Sequence, residues 1–202
     1  MVLKRLFDGI FASTGLIVLS PVFIVLSLMV MFSMGRPVLF RQPRAGLYGR
    51  EFTLAKFRSM RDAYDTFGAP LPDAVRMTAI GRILRRFRLD ELPEFWMIAT
   101  GDMSFVGPRP LPRILIEAES MLQARCQVRP GLTGLAQVSG NTLLTNSEKF
   151  AVDLYYVDQL SLLGDLKIIL KTILMIVGGE RRNEPLIRKA LQYASSVNRR
   201  GR

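Results

Sequence analysis

Between Gly9 and Gly35 the chain carries no charged side chain, and most of those 27 residues are Leu, Ile, Val, Phe or Met. About 20 apolar residues in a helix suffice to cross the hydrocarbon core of a bilayer, so this run is long enough. A helix buried in a water-soluble core is seldom apolar on every side for that distance. Insertion into a membrane is therefore expected. Spanning it is a separate matter. Lys4 and Arg5 precede the run, and Arg36, Arg41, Arg44 and Arg50 follow it. Basic residues favour the cytoplasmic side, and here both flanks are basic. Ser20-Pro21 stands near the middle, where proline removes a backbone donor and kinks or breaks a helix. A helix that dips in, bends and returns to the same face satisfies both observations. A plain spanning helix with a tolerated proline is the ordinary alternative, and pattern alone leaves the two level. Against a cleaved signal peptide, no A-x-A-like site follows the run, and Asp8 sits badly in an n-region.

The rest of the composition narrows the chemistry. The 202 residues fit one domain, and 49% hydrophobic residues are enough for a core. No His is present, which excludes Ser-His-Asp and Cys-His triads, His-ligated metals and an imidazole base. Cys126 is the single cysteine, so there is no intrachain disulfide and no Cys-rich zinc or iron–sulfur site. Chemistry falls to carboxylates, Lys, Tyr, Ser/Thr or a hard metal held by oxygens. A net charge of +11 beside a mean hydropathy of +0.22 is an unusual pairing. It fits either a nucleic-acid binder with a sticky segment or a membrane protein with a basic face.

Past Arg36 the chain becomes polar. Pro37–Gln42 and Glu51–Phe57 have β-type content, and with Pro43, Gly46 and Gly49 between them they predict a hairpin. Asp62–Asp73 reads as a loop. Thr78–Arg88 places Ile80, Ile83, Leu84 and Phe87 at helical spacing, with four arginines on the other sides. Leu115–Cys126, Glu148–Gln159 and Asp165–Val177 are further helix candidates, and Arg129–Gly140 is a glycine-punctuated loop or strand. In Asp165–Val177 a stripe of Leu166, Ile169, Leu170, Ile173, Leu174 and Val177 suits a helix in the headgroup layer. It equally suits a surface helix facing a core. From Glu180 onward the chain is basic and expected to be loosely ordered, resting against anionic lipid.

Three clusters bear on chemistry. In Arg85–Glu94 (RRFRLDELPE) the plain reading has Asp90 capping a helix, Glu91 favouring its N-terminal dipole and Pro93 in the first turn. The alternative puts two carboxylates at an irregular helix start where arginines converge on phosphate. One would be a nucleophile on phosphorus and its neighbour a Mg²⁺ ligand. Gly101–Pro110 (GDMSFVGPRP) holds Arg109 in a turn stiffened by two prolines. Arg129–Val138 (RPGLTGLAQV) would bring backbone amides near a phosphate or a base, or serve as a tight connection within the core.

Taken together, these segments resemble the bacterial sugar transferases, the small monotopic polyprenol-phosphate phosphoglycosyl transferases. Lys4-Arg5 with Asp8, Ser20-Pro21, Lys56-Phe57-Arg58-Ser59-Met60, Leu89-Asp90-Glu91-Leu92-Pro93, Gly101–Pro110 and Val128–Val138 keep the family's order over nearly the whole chain. Arg58 stands where the family often has Lys, which alters geometry at constant charge. The resemblance implies transfer of a sugar-1-phosphate from a UDP-sugar to polyprenyl phosphate through a covalent aspartyl-phosphosugar, with release of UMP. It implies Asp90 as nucleophile and Glu91 as Mg²⁺ ligand or acid–base partner. Lys56, Arg85 and Arg109 match phosphate-holding positions, and Gln137 lies in a motif of uncertain role. It further implies an α+β, mostly helical monotopic protein at the cytoplasmic face of the bacterial inner membrane. Residues 1–36 would form a re-entrant helix broken at Ser20-Pro21, 37–179 a catalytic domain and 180–202 a basic tail. Such a protein resembles a minimal catalytic unit, does not call for nucleic acid and leaves homo-oligomerisation open. The rival classes are a membrane-tethered nucleic-acid binder, poorly served by one Trp, and a non-catalytic basic scaffold.

Overall fold

The computed structural model describes residues 2–118 and 123–200. Helix α1 (Val2–Val18) and helix α2 (Ser20–Met34) carry the apolar run and meet at a bend of 64°. The bend has a local cause. Pro21 has no N–H for the carbonyl of Ile17, one turn back, and the Ser20 hydroxyl donates to that carbonyl instead at 2.8 Å. Among the described residues no single helix is long and apolar enough to cross a membrane, whereas the bent pair together reaches that length.

Strands β1 (Leu39–Ala45) and β2 (Glu51–Phe57) form the expected antiparallel hairpin, with Leu39 opposite Phe57 and Ala45 opposite Glu51. Pro43, expected in the connection, lies inside β1 opposite Thr53. This two-stranded sheet leaves β1 an edge strand, where a missing N–H is tolerated. A short helix α3 (Asp73–Arg76) precedes α4 (Ala79–Arg86), whose N-cap Thr78 accepts from the Gly81 amide. A 3₁₀ turn at Leu89–Glu91 leads into α5 (Glu94–Thr100). Then come β3 (Ser104–Val106), α6 (Arg113–Ala118), β4 (Gly131–Thr133) parallel to β3, and α7 (Leu135–Val138). Of the helix expected over Leu115–Cys126, residues 119–122 lie outside the described ones, and Arg125–Gln127 is a 3₁₀ turn.

Helix α8 (Asn146–Asp158) opens with a capping box between Thr145 and Glu148. Helix α9 (Leu162–Gly178) and helix α10 (Glu184–Arg200) follow. The last corrects the expectation of a loose tail. Ile187, Ala190 and Ala194 recur at helical spacing and are buried with Val152 and Leu154 of α8. Despite the arginines of this segment, three small or branched apolar residues on one face dock it.

Most of the stripe expected on α9 does not face the core, although its Ile169 packs partly buried against Val106, Val128, Tyr156 and Ile168. Leu163, Leu166, Leu170, Leu174 and Val177 are exposed, while Asp165 and Ile168 are the buried residues of that helix. Helices α1 and α2 behave alike. Ala12 packs with Met97, Ile98 and Leu54, and Leu26 and Val30 with Phe57 and Leu84, yet Leu6, Phe7, Phe11, Val25 and Phe32 are exposed. Lys4 and Arg5 depart from the flank pattern, because they turn inward rather than toward lipid. Lys4 pairs with Asp165 and donates to the Val106 carbonyl at 3.0 Å, and the Tyr156 hydroxyl joins at 2.8 Å from Asp165. Arg5 donates to the Ile98 and Ala99 carbonyls at 2.6 and 2.7 Å, near the end of α5. Asp8 accepts from the Phe105 amide. These ties fix the membrane-type helix pair to the domain that carries the charged cavity.

Candidate active site

A cavity of about 590 Å³ opens between the hairpin, α4, the 3₁₀ turn and the Pro108–Pro110 turn. Lys56 enters it from β2. Strand alternation buries the next side chain, Phe57, with Leu84. Arg85 comes from the last turn of α4 and donates through Nε to Ser59 Oγ at 2.9 Å. That contact needs α4 pressed against Ser59, and Gly81 permits it: a Cβ there would lie 1.8 Å from the Ser59 carbonyl oxygen. Arg109 is held by the second close approach, the Gly107 turn stacked on Arg129–Gly131, where a Cβ on Gly107 would meet the Arg129 carbonyl oxygen at 2.3 Å.

Asp90 and Glu91 do not begin a regular helix. Arg88 adopts the left-handed conformation (φ 54°, ψ 25°), which is costly for a residue with a side chain and recurs at functional sites. It starts the 3₁₀ turn, so the two adjacent carboxylates share one cavity, and neither caps a helix in the way the plain reading expected. Glu91 is 5% exposed. Its Oε1 receives Lys56 Nζ at 2.6 Å and Arg109 at 2.9 Å, and Arg88 lies 3.5 Å from Oε2. Burial would raise its pKa, but Arg109 and Lys56 outweigh burial and hold it at about 2. Asp90 is half-buried and, among the described residues, has no ion pair or side-chain partner. Burial and the Glu91 charge push it above the usual carboxylate range, against the pull of Lys56 and Arg85.

Of the residues predicted for the site, Lys56, Arg85, Asp90, Glu91 and Arg109 line this one cavity. Gln137 is not among its walls. It is 4% exposed in α7, and its Nε2 donates to the Leu132 carbonyl at 3.2 Å, bracing the turn after β4. Ser20 and Pro21 stand at the helix bend. Glu94 belongs to the site as well, beyond the residues that the sequence predicts. It is 3% exposed, lies 3.0 Å from Lys56, and burial pushes it to about 7 despite that lysine. Its position three residues after Glu91 was the available signal, since one helical turn returns a side chain to the same side. Arg44 and Arg88 also line the cavity. So do Asn141, Thr142 and Glu180, which come from distant segments with no local motif.

The arrangement suits phosphorus chemistry. Converging cations can bind phosphate oxygens, Glu91 and Glu94 keep Lys56 in place, and Asp90 has no ion pair among the described residues. A hard divalent ion needs oxygen ligands and usually keeps one or two carboxylates plus substrate phosphates. Glu91 Oε2, which Arg88 only approaches, fits that need, whereas Oε1 is taken by two cations.

Residues 1–179 match the family model described as bacterial sugar transferase. The chain is similar to "Uncharacterized sugar transferase EpsL" of Bacillus subtilis (strain 168), 42% identical over 182 residues, which is 89% of this chain and 90% of that one. It is similar to "Exopolysaccharide production protein ExoY" of Rhizobium meliloti (strain 1021), 38% identical over 84% of this chain and 83% of the relative. It is also similar to "UDP-glucose:undecaprenyl-phosphate glucose-1-phosphate transferase" of Klebsiella pneumoniae, 38% identical over 86% of this chain and 40% of that longer protein.

Proposed function

The chain belongs to the bacterial sugar transferase family and is a transferase, and on that footing we propose that it moves a sugar-1-phosphate from a UDP-sugar to a polyprenyl phosphate. Relatives named for transfer to undecaprenyl phosphate support that acceptor. The observation that carries the reaction is Asp90, a carboxylate with no ion pair among the described residues, in a cavity where Lys56, Arg85, Arg88 and Arg109 converge. Its oxygen attacks the sugar-bearing phosphorus, the bond from that phosphorus to the bridging oxygen breaks, and UMP leaves with the bond's electrons. The aspartyl-phosphosugar then accepts attack by an oxygen of the lipid phosphate, which frees the Asp90 carboxylate. A covalent intermediate lets a water-soluble donor and a lipid acceptor use one site in turn. Lys56, Arg85, Arg88 and Arg109 hold phosphate oxygens and favour the charge that builds on them. Mg²⁺, when bound with the donor's diphosphate, would be held by Glu91 and would supply further charge neutralisation.

The bent helix pair and the exposed stripe of α9 support insertion from one face. Arg36, Arg41 and Arg50, exposed just after the pair, favour the cytoplasmic side of the inner membrane as that face. The test uses purified protein in lipid nanodiscs with undecaprenyl phosphate, Mg²⁺ and a panel of UDP-sugars. At least one donor should yield UMP, and Asp90→Asn should reduce release to background while the protein stays folded in the disc. Undiminished release by that variant would sink the nucleophile assignment.

A further inference from the structure

One wall of the cavity differs in charge from the rest. Asn141, Thr142 and Glu180 line it together, although Glu180 lies 38 residues beyond Thr142 and just past the segment that matches the family model. Glu180 is the hub. Its Oε1 receives Asn141 Nδ2 at 2.5 Å, and its Oε2 receives the Thr142 amide at 3.1 Å and the Thr142 hydroxyl. Burial would raise its pKa, but the Thr142 and Asn141 hydrogen bonds outweigh burial and hold it below the usual range, so it is ionised at neutral pH. The loop beneath is strained, with Gly140 at φ 143° and Asn141 at φ 45°. Left-handed residues with side chains persist where the surroundings force them, often at ligand clamps. Arg182 and Asn183 tie the segment after Glu180 to the same loop, through the Leu143 carbonyl, Glu148 and the Ser139 carbonyl. Arg88 is the link to the catalytic turn: it lies 3.5 Å from Glu91 Oε2, and its charge also acts on Glu180.

An anionic rim repels phosphate and accepts hydrogen bonds from hydroxyl groups. On the reading of the cavity given above, we propose that Asn141, Thr142 and Glu180 form a donor-selecting subsite that binds a hydroxyl-bearing ring of the UDP-sugar while the cationic cluster holds its diphosphate. The ring is the transferred sugar or the ribose, which share this chemistry. Glu180 still has acceptor capacity beyond the hydrogen bonds it receives within the protein, and Asn141 Oδ1 adds another acceptor.

The test measures binding of UDP-glucose, its 2′-deoxyuridine analogue, UDP-xylose (which lacks the sugar's hydroxymethyl group) and inorganic diphosphate to the full chain in nanodiscs, by calorimetry, alongside UMP release. Two variants are compared with wild type. Glu180→Gln removes the charge, and Asn141→Gly removes the amide while keeping a residue suited to positive φ. Both should weaken UDP-glucose about tenfold, the scale of a hydrogen bond to a charged group, and leave diphosphate unchanged or slightly tighter. Equal loss for UDP-glucose and diphosphate means that the rim is only a structural staple, and overturns the proposal. So does unchanged UDP-glucose affinity. If the variants lose their discrimination between UDP-glucose and UDP-xylose, the sugar is the ring bound, and if they lose it for the deoxyribose analogue, the ribose is. Wild-type protein that binds UDP-glucose yet releases UMP from no donor of the panel would refute the transfer reaction while leaving the rim's selectivity measurable; no UDP-sugar binding at all would overturn both.

Discussion

Three carboxylates within five residues, Asp90, Glu91 and Glu94, share one cavity and have different tasks because their partners differ. Lys56 sits between Glu91 at 2.6 Å and Glu94 at 3.0 Å. Removing one partner of a buried pair strands the other charge, which costs more than the pair itself contributes. Lys56→Met should therefore destabilise the protein by about 3 kcal/mol. Adding Glu94→Gln should restore part of that loss well above pH 7, where Glu94 would otherwise carry a stranded charge. Thermal melts of the two single variants and the double one measure the coupling; strict additivity would show that Lys56 does not bridge them. Asp90 could be read from its motif, but its lack of an ion pair among the described residues could not. After the left-handed Arg88, it is Glu91 that makes the contacts with Lys56 and Arg109, while Lys56 and Arg85 act on Asp90 only through their charge.

At the scale of elements, the apolar run gave the helices and Ser20-Pro21 gave the break, since a missing N–H leaves the Ile17 carbonyl for the Ser20 hydroxyl. Restoring an ordinary helix with Ser20→Ala and Pro21→Leu should straighten the pair and move its N-terminal end across the bilayer. A cysteine in place of Val2 checks this, Cys126 being buried. In intact cells it should resist an impermeant thiol reagent in the otherwise wild-type chain and react in the straightened variant. Equal labelling of both would mean that the bend does not set topology. The hairpin was legible from residue content, although Pro43 was assigned to the turn, because a sequence does not reveal which strand lies at an edge. The α10 helix was obscured by its arginines. Its small buried face is informative only once α8 is there to receive it.

For the whole molecule, the ionisable groups sort into two sets with opposite pH effects. Glu91, Glu148 and Glu180 are held below the usual carboxylate range, so their contribution is present above about pH 5 and is lost in acid. Burial pushes Glu94 to about 7 and Asp153 to about 6, the latter despite its ion pair with Arg125. Between about pH 5 and 7 the folded state then holds more protons than the unfolded chain, and stability should fall as pH rises. Melting temperatures in nanodiscs from pH 5 to 8 should decline, and Glu94→Gln should flatten the curve. A rising melting temperature over that interval would contradict the assignment of these two groups.

The sequence by itself determined the uncharged run and its proline break, the hairpin, the Asp90-Glu91 pair and the arginines near it, because these depend on composition and on spacing within a few residues. Only the tertiary structure decided which carboxylate is ion-paired and which is not, that Lys4 and Arg5 hold α1 against β3, α5 and α9, and that most of the apolar stripe of α9 faces outward. It also decided that Gln137 braces a turn while Glu94 and Glu180 line the cavity. Each of these depends on contacts between segments tens of residues apart. There burial and the nearest opposite charge set what a side chain does, and neither quantity exists until the chain has closed on itself.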